Sequence, residues 1–254
     1  MIDPWLYVLA LIGGIVAGIT NTLAGSGSLI TLPVLVMLGL PVHEANGTNR
    51  VGIILQNIVA LGTLKRQESL NIEGVGAFSV PIILGSLLGA YIAIDVSKEA
   101  LNLAIGCIMV GMFVVLLAKP KRWLEKEERE FSKKWYYFPM FFVVGIYGGF
   151  IQAGVGILLL MSLVLGVGFD VVKANGMKLL LALIFTLPVL GIFVWHGDVR
   201  WGMGFLMAAG QSIGAYLAAR FAAGSERAPI WIRRMLLLIT VVGALKFLYP
   251  VLAH

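Results

Sequence analysis

Long apolar runs alternate with short polar clusters along the chain, and the length of the runs predicts helices rather than strands. Five such segments fall in each half. In the first they are Trp5 to Thr20, Leu29 to Leu40, Ala45 to Leu64, Ile72 to Ile94 and Ala100 to Ala118. In the second they are Tyr137 to Ala153, Leu158 to Val167, Ala174 to Trp195, Trp201 to Ala222 and Ile230 to Tyr249. Between the first two segments of each half stands a glycine-broken turn, Ala24 to Ser28 (AGSGS) and Ala153 to Ile157 (AGVGI). The segments flanking these turns are shorter than the roughly 20 residues of a full membrane crossing. That predicts, twice over, a hairpin that enters a membrane and returns to its own side.

The two turns are offset by 129 positions, and at the same offset EANGTN (Glu44 to Asn49) falls on KANGMK (Lys173 to Lys178). GSLLGAYIA (Gly85 to Ala93) matches GQSIGAYLA (Gly210 to Ala218) at an offset of 125. Ordered matches at near-constant spacing predict an internal repeat. A returning hairpin followed by three crossings makes an odd number, so the second copy starts on the opposite side of the membrane. The expected fold is therefore an all-α polytopic membrane protein of two inverted five-segment repeats, residues 1–118 and 137–254, joined by a cytoplasmic linker, 119–136. With that linker in the cytoplasm, 15 of the 19 lysines and arginines fall toward its face, the bias of the positive-inside rule. Both chain ends then lie outside the cytoplasm.

Composition agrees. Of 254 residues, 59% are hydrophobic and 13% charged, with a mean hydropathy of +0.96, whereas a soluble domain carries about 25% charged residues. The start, MIDPWLYVLALIGG, lacks the basic region of a cleaved leader and reads as mature protein. The single cysteine, Cys107, rules out an internal disulfide and a thiolate metal cluster. The net charge of +6 is placed by topology in loops and span ends, so no nucleic-acid partner is implied. No Asp or Glu falls near the middle of a predicted span, leaving none of the embedded carboxylates of a cation pump or proton relay. His43, His196 and His254 show no metal-ligand spacing. The expectation is a protein without metal, cofactor or catalytic set.

Irregular backbone survives in hydrocarbon only where protein shields it or a wet cavity meets it. After each break a new helix begins, and its first free amides with the positive dipole end form a ready anion site. Two such ends related by inverted symmetry match the midplane site of secondary transporters. The candidate substrate-binding residues are Asn21, Gly25, Ser26 and Gly27 at the first break and Gln152, Gly154 and Gly156 at the second, with Arg50 and Lys178 as charge partners. Ser26 and Ser28 can equally cap a helix, and the ANG asparagines Asn46 and Asn175 read as turn or cap residues. Gln56, Asn57, Thr186, Gln211 and Ser212 are expected to bond between helices rather than to a ligand. Gly14 with Gly18 and Gly85 with Gly89 have the spacing of close helix packing.

The glycine-rich first helix leading to AGSGSLITLPVL, the following ANGTNRVG, and the second copy QAGVGILLL with KANGMK resemble the TauE/SafE sulfite exporter family of membrane permeases over nearly the whole chain. Ser26 and Ser28 stand where the family pattern often has further glycine. The resemblance implies transport of a small sulfur-containing anion, such as sulfite, thiosulfate or an organosulfonate, across the bacterial cytoplasmic (inner) membrane. Its partners would be that anion and the lipid bilayer. An anion channel of the same architecture is the alternative, and the residues leave oligomeric state, direction and coupling ion open.

Overall fold

A computed structural model of the chain describes residues 4–67, 70, 72, 74–93, 110–111, 114, 135–225, 227, 230–238 and 241. The predicted segment Ala100 to Ala118 and the linker 119–136 lie outside the described residues except at 110–111, 114 and 135–136. Among the described residues there is helix and no strand, as an apolar solvent requires, because a helix satisfies its backbone within one segment. In order, the helices are α1 (Pro4–Ala24), α2 (Ser28–Met37), α3 (Val42–Arg66), α4 (Val75–Ala93), α5 (Tyr137–Phe150), α6 (Val155–Met161), α7 (Val171–Trp195) and α8 (Trp201–Gly224). Helix α6 continues as a wider π-helical turn, Ser162–Val167; of the predicted segment Ile230 to Tyr249, residues 230–238 and 241 are helical and the rest lie outside the described residues.

The sequence pattern places the elements well, with one correction. Helix α1 does not stop at Thr20 but runs 21 residues to Ala24, about 31 Å at the helical rise. The polar cluster Asn21–Thr22 costs it no backbone bonds, so the chain breaks only where Gly25 adopts φ +74°, a left-handed conformation that glycine alone tolerates freely. The first segment is thus long enough to cross a membrane. Helices α1, α4 and α7 are long and apolar enough to do so by length and composition. Helix α3, at 25 residues, is as long as α7 but carries a buried polar series from Asn46 to Asn57.

The helices pack as two parallel trios. In one, α1, α3 and α8 all start at the same end of the bundle: Tyr7 shares a pocket with Trp201, and Glu44 holds Arg200 at 2.7 Å. In the other, α4, α5 and α7 start at the opposite end, where the Phe78 ring lies 5.7 Å from Tyr137 and 6.4 Å from Phe169. Small residues set these contacts. A Cβ placed on Gly18 would meet the Gln211 carbonyl, and one on Gly214 would meet the Ile15 carbonyl. In the second trio, a Cβ on Gly85 would meet the Phe142 carbonyl and one on Gly89 the Ile146 carbonyl. The expected packing role of both GxxxG pairs is therefore realised, backbone against backbone. Outward faces are apolar: Ile12, Val16, Leu84, Leu88, Phe205 and Leu217 are exposed, the arrangement that lipid rewards and water would oppose.

The glycine seam generates a contrast. Gly214→Ala should lower stability by about 1–3 kcal/mol through overpacking. Gly191→Ala, on α7 where an added Cβ meets nothing within 4 Å, should be neutral or raise stability by up to about 1 kcal/mol through helix propensity. Thermal unfolding of both variants in detergent, followed by tryptophan fluorescence, reads the difference.

Candidate functional site

The two broken turns meet inside the bundle. A Cβ added to Gly25 would fall on the backbone of Gly156, and one added to Gly156 would fall on Gly25. Gly154, at the position offset by 129 from Gly25, has φ +76° against +74°. Four helix ends therefore converge: the C-termini of α1 and α5 and the N-termini of α2 and α6. Each leaves backbone groups without an intrahelical partner.

The carbonyl ends are capped by the opposite half of the chain. Lys178 on α7 is 1% exposed, and its Nζ donates to the carbonyls of Asn21 at 3.0 Å and Thr22 at 2.9 Å and to Asn175 Oδ1 at 2.7 Å. Arg50 on α3, fully buried, donates to the carbonyls of Gly148 at 3.3 Å and Gly149 at 2.7 Å. Asn46 Nδ2 donates to the next carbonyl, Phe150, at 3.1 Å, and its Oδ1 accepts from Arg50 at 3.5 Å. Arg50 also lies 4.8 Å from the Phe193 ring centre. Neither cation snorkels to a membrane face; both sit against the negative dipole end of a helix.

Several local expectations change accordingly. Asn46 and Asn175 are not caps of their own helices, since α7 is capped by Asp170, whose Oδ1 accepts from the amides of Val172 and Lys173. Ser26 and Ser28 do not cap α2 through their side chains. The Ser28 hydroxyl accepts from Asn49 Nδ2 at 3.0 Å, and Thr31 donates to Asn49 Oδ1 at 2.6 Å, which ties α2 to α3.

Between the turns lies a narrow cavity of about 10 Å3, the room of roughly one water molecule, so the turns are closed on one another in this conformation. It brings together five of the nine sequence-derived candidates: Asn21, Gly25, Gln152, Gly156 and Lys178. The other four lie around it. Gly154 forms the left-handed turn before α6; Gly27 packs back on the Ala17 carbonyl; the Ser26 hydroxyl is buried without a partner among the described residues; and Arg50 caps α5. The lining also includes Ile53, Asn57, Val155, Leu179 and Ala182, of which only Asn57 is polar. Its offset counterpart Thr186 accepts a 2.6 Å hydrogen bond from Gln152 Nε2, so the repeat spacing already carried a signal for position 57. The polar lining is thus three neutral carboxamides, Asn21, Asn57 and Gln152, and the Lys178 ammonium with its three donors engaged, and no carboxylate is among the residues that line this space.

The family model described as sulfite exporter TauE/SafE matches residues 10–247 of this chain. The chain belongs to the TauE/SafE family. It is similar to a protein of Haemophilus influenzae named a probable membrane transporter protein, with 27% identity over 240 residues, 93% of this chain and 92% of the relative. It is similar also to the probable membrane transporter protein YfcA of Escherichia coli K12, 28% identical over 257 residues, 98% and 92% of the two chains. A third relative, the probable membrane transporter protein ORF9 of a Sinorhizobium species, is 24% identical over 243 residues, 96% and 92%. No solved structure matches. This TauE/SafE chain is thus a multi-pass helical membrane protein.

The carbonyl cap predicts a stability effect. Lys178→Met leaves the Asn21 and Thr22 carbonyls and Asn175 Oδ1 without their donor, at about 1–3 kcal/mol for each buried group that stays unpaired. A clear fall in melting temperature is expected, whereas Lys65→Met, at an exposed helix end, should change stability by no more than about 0.5 kcal/mol.

Proposed function

We propose that this membrane transporter is a secondary transporter of a small sulfur-containing anion, sulfite, thiosulfate or an organosulfonate, across the bacterial inner membrane by alternating access. The observation that carries the reading is the meeting of two glycine-broken turns at Gly25 and Gly156 beside a cavity lined by neutral donors. Helix N-termini and amide groups bind an oxyanion without burying an uncompensated counter-charge. The sulfur chemistry rests on the family description.

Two inverted repeats, residues 1–118 and 137–254, are part of the proposal. What supports them is the running direction of matching helices: α1 and α3 start at one end of the bundle, α5 and α7 at the other. Each half also caps the other's first helix, through Lys178 and through Arg50. In this reading Asn21, Gly25, Ser26, Gly27, Gln152, Gly154 and Gly156 form or shape the binding site. Lys178 adds positive potential from the cavity wall, and Arg50 does so from behind it.

The test is flux into liposomes holding the purified protein, across radiolabelled sulfite, thiosulfate, sulfate and a small sulfonate, with and without a pH gradient. Saturable flux of one sulfur anion, accelerated by substrate on the far side, is the expected result, and a single-channel current would assign a channel instead. Gly25→Val and Gly154→Val, isolated as monodisperse protein, should lose that flux. Wild-type rates in both would move the site elsewhere.

A further inference from the structure

The cavity contains one polar side chain that neither fold chemistry nor the proposed site accounts for. Asn57 on α3 is 1% exposed and lines the cavity, yet its Nδ2 has no partner among the described residues. Its Oδ1 meets Gln56 Nε2 only at 3.5 Å, the outer limit of a hydrogen bond. A buried amide in such a setting is unfavourable unless something engages it.

The pattern of the two halves explains why this group is left over. Thr186 stands 129 positions after Asn57, and its hydroxyl is engaged by Gln152 at 2.6 Å. The residue 129 positions before Gln152 is Leu23, whose side chain has no polar atom to offer Asn57. One wall of the cavity is therefore internally bonded, while the facing wall holds a free carboxamide. Gln152 itself keeps its Oε1 without a partner among the described residues.

We infer that Asn57 is a substrate-binding residue, its carboxamide N–H donating to an oxygen of the transported oxyanion. The assignment rests on the anion-transport reading and deepens it by naming a contact on α3 outside both broken turns. A carboxamide donor suits this position because it binds an oxyanion while remaining neutral when the site is free, so the helix bundle need not hold a further buried charge. The side chain also discriminates, since an apolar solute would leave the N–H unengaged.

Binding and folding roles predict opposite results, and Asn57→Leu separates them. Replacing an amide whose N–H bonds nothing among the described residues by an apolar side chain of similar size should leave the unliganded melting temperature equal to wild type or higher. The half-saturation concentration for liposome flux of the transported anion should rise at least ten-fold, and the melting shift that anion produces in wild type should disappear. Asn57→Asp, nearly isosteric but acceptor-only when ionised, should weaken binding further. A fall in unliganded stability of Asn57→Leu, failure of that variant to fold, or an unchanged half-saturation concentration would each overturn the inference and make Asn57 a packing residue. Absence of flux and of any melting shift with all four anions in wild type would instead overturn the transport reading, and this contact with it.

Discussion

Ending a helix inside an apolar layer exposes backbone carbonyls that no water can reach, and the rest of this structure is arranged around that constraint. Helices α1 and α5 both end at a glycine-broken turn within the bundle. Carbonyls in their last turns are taken up by Lys178 and by Arg50 with Asn46, each reaching across from the other half of the chain. A buried cation is unfavourable by itself, but here it meets the concentrated negative end of a helix and hydrogen-bonding oxygens. The same contacts tie α7 to α1 and α3 to α5.

With the carbonyls of Asn21, Thr22, Gly148, Gly149 and Phe150 taken up, the N-termini of α2 and α6 are left beside the cavity. A helix N-terminus carries partial positive charge without a titratable proton. Asn21, Asn57 and Gln152 add neutral polar groups, and the ammonium of Lys178 adds charge while its three donors are engaged. An anion entering this space would meet oriented dipoles that need little rearrangement, the physical basis of the proposed site.

Close backbone approach makes the geometry possible. Gly14, Gly18, Gly210 and Gly214 bring α1 onto α8, and Gly85, Gly89, Gly145 and Gly149 bring α4 onto α5. Because lipid tails are as apolar as leucine, tight packing of small residues, rather than hydrophobic burial, holds these helices together. Each trio takes one helix from the other half, α8 in the first and α4 in the second, so any relative movement of the trios displaces parts of both halves.

The sequence by itself determined the helical class, the order and approximate bounds of the described segments, the two breaks, and five of the residues that line the cavity. These follow from local rules: apolar run length, glycine conformation and the 129-residue offset. Tertiary structure alone decided what the polar residues on α3 and α7 do. Asn46 and Asn175 look like local caps but accept from the cation one turn along their own helix, Arg50 and Lys178, and Asn46 also donates to the distant Phe150 carbonyl; Arg50 and Lys178, expected as charge partners of a substrate, bond helix-end carbonyls of the other half of the chain. Asn57 looks like an interhelical link, yet its N–H lacks a partner among the described residues, while Thr186 has one. The physical reason is that a side chain's hydrogen-bond partner in a bundle is set by which helix end arrives opposite it, and periodicity along one segment carries no record of that arrival.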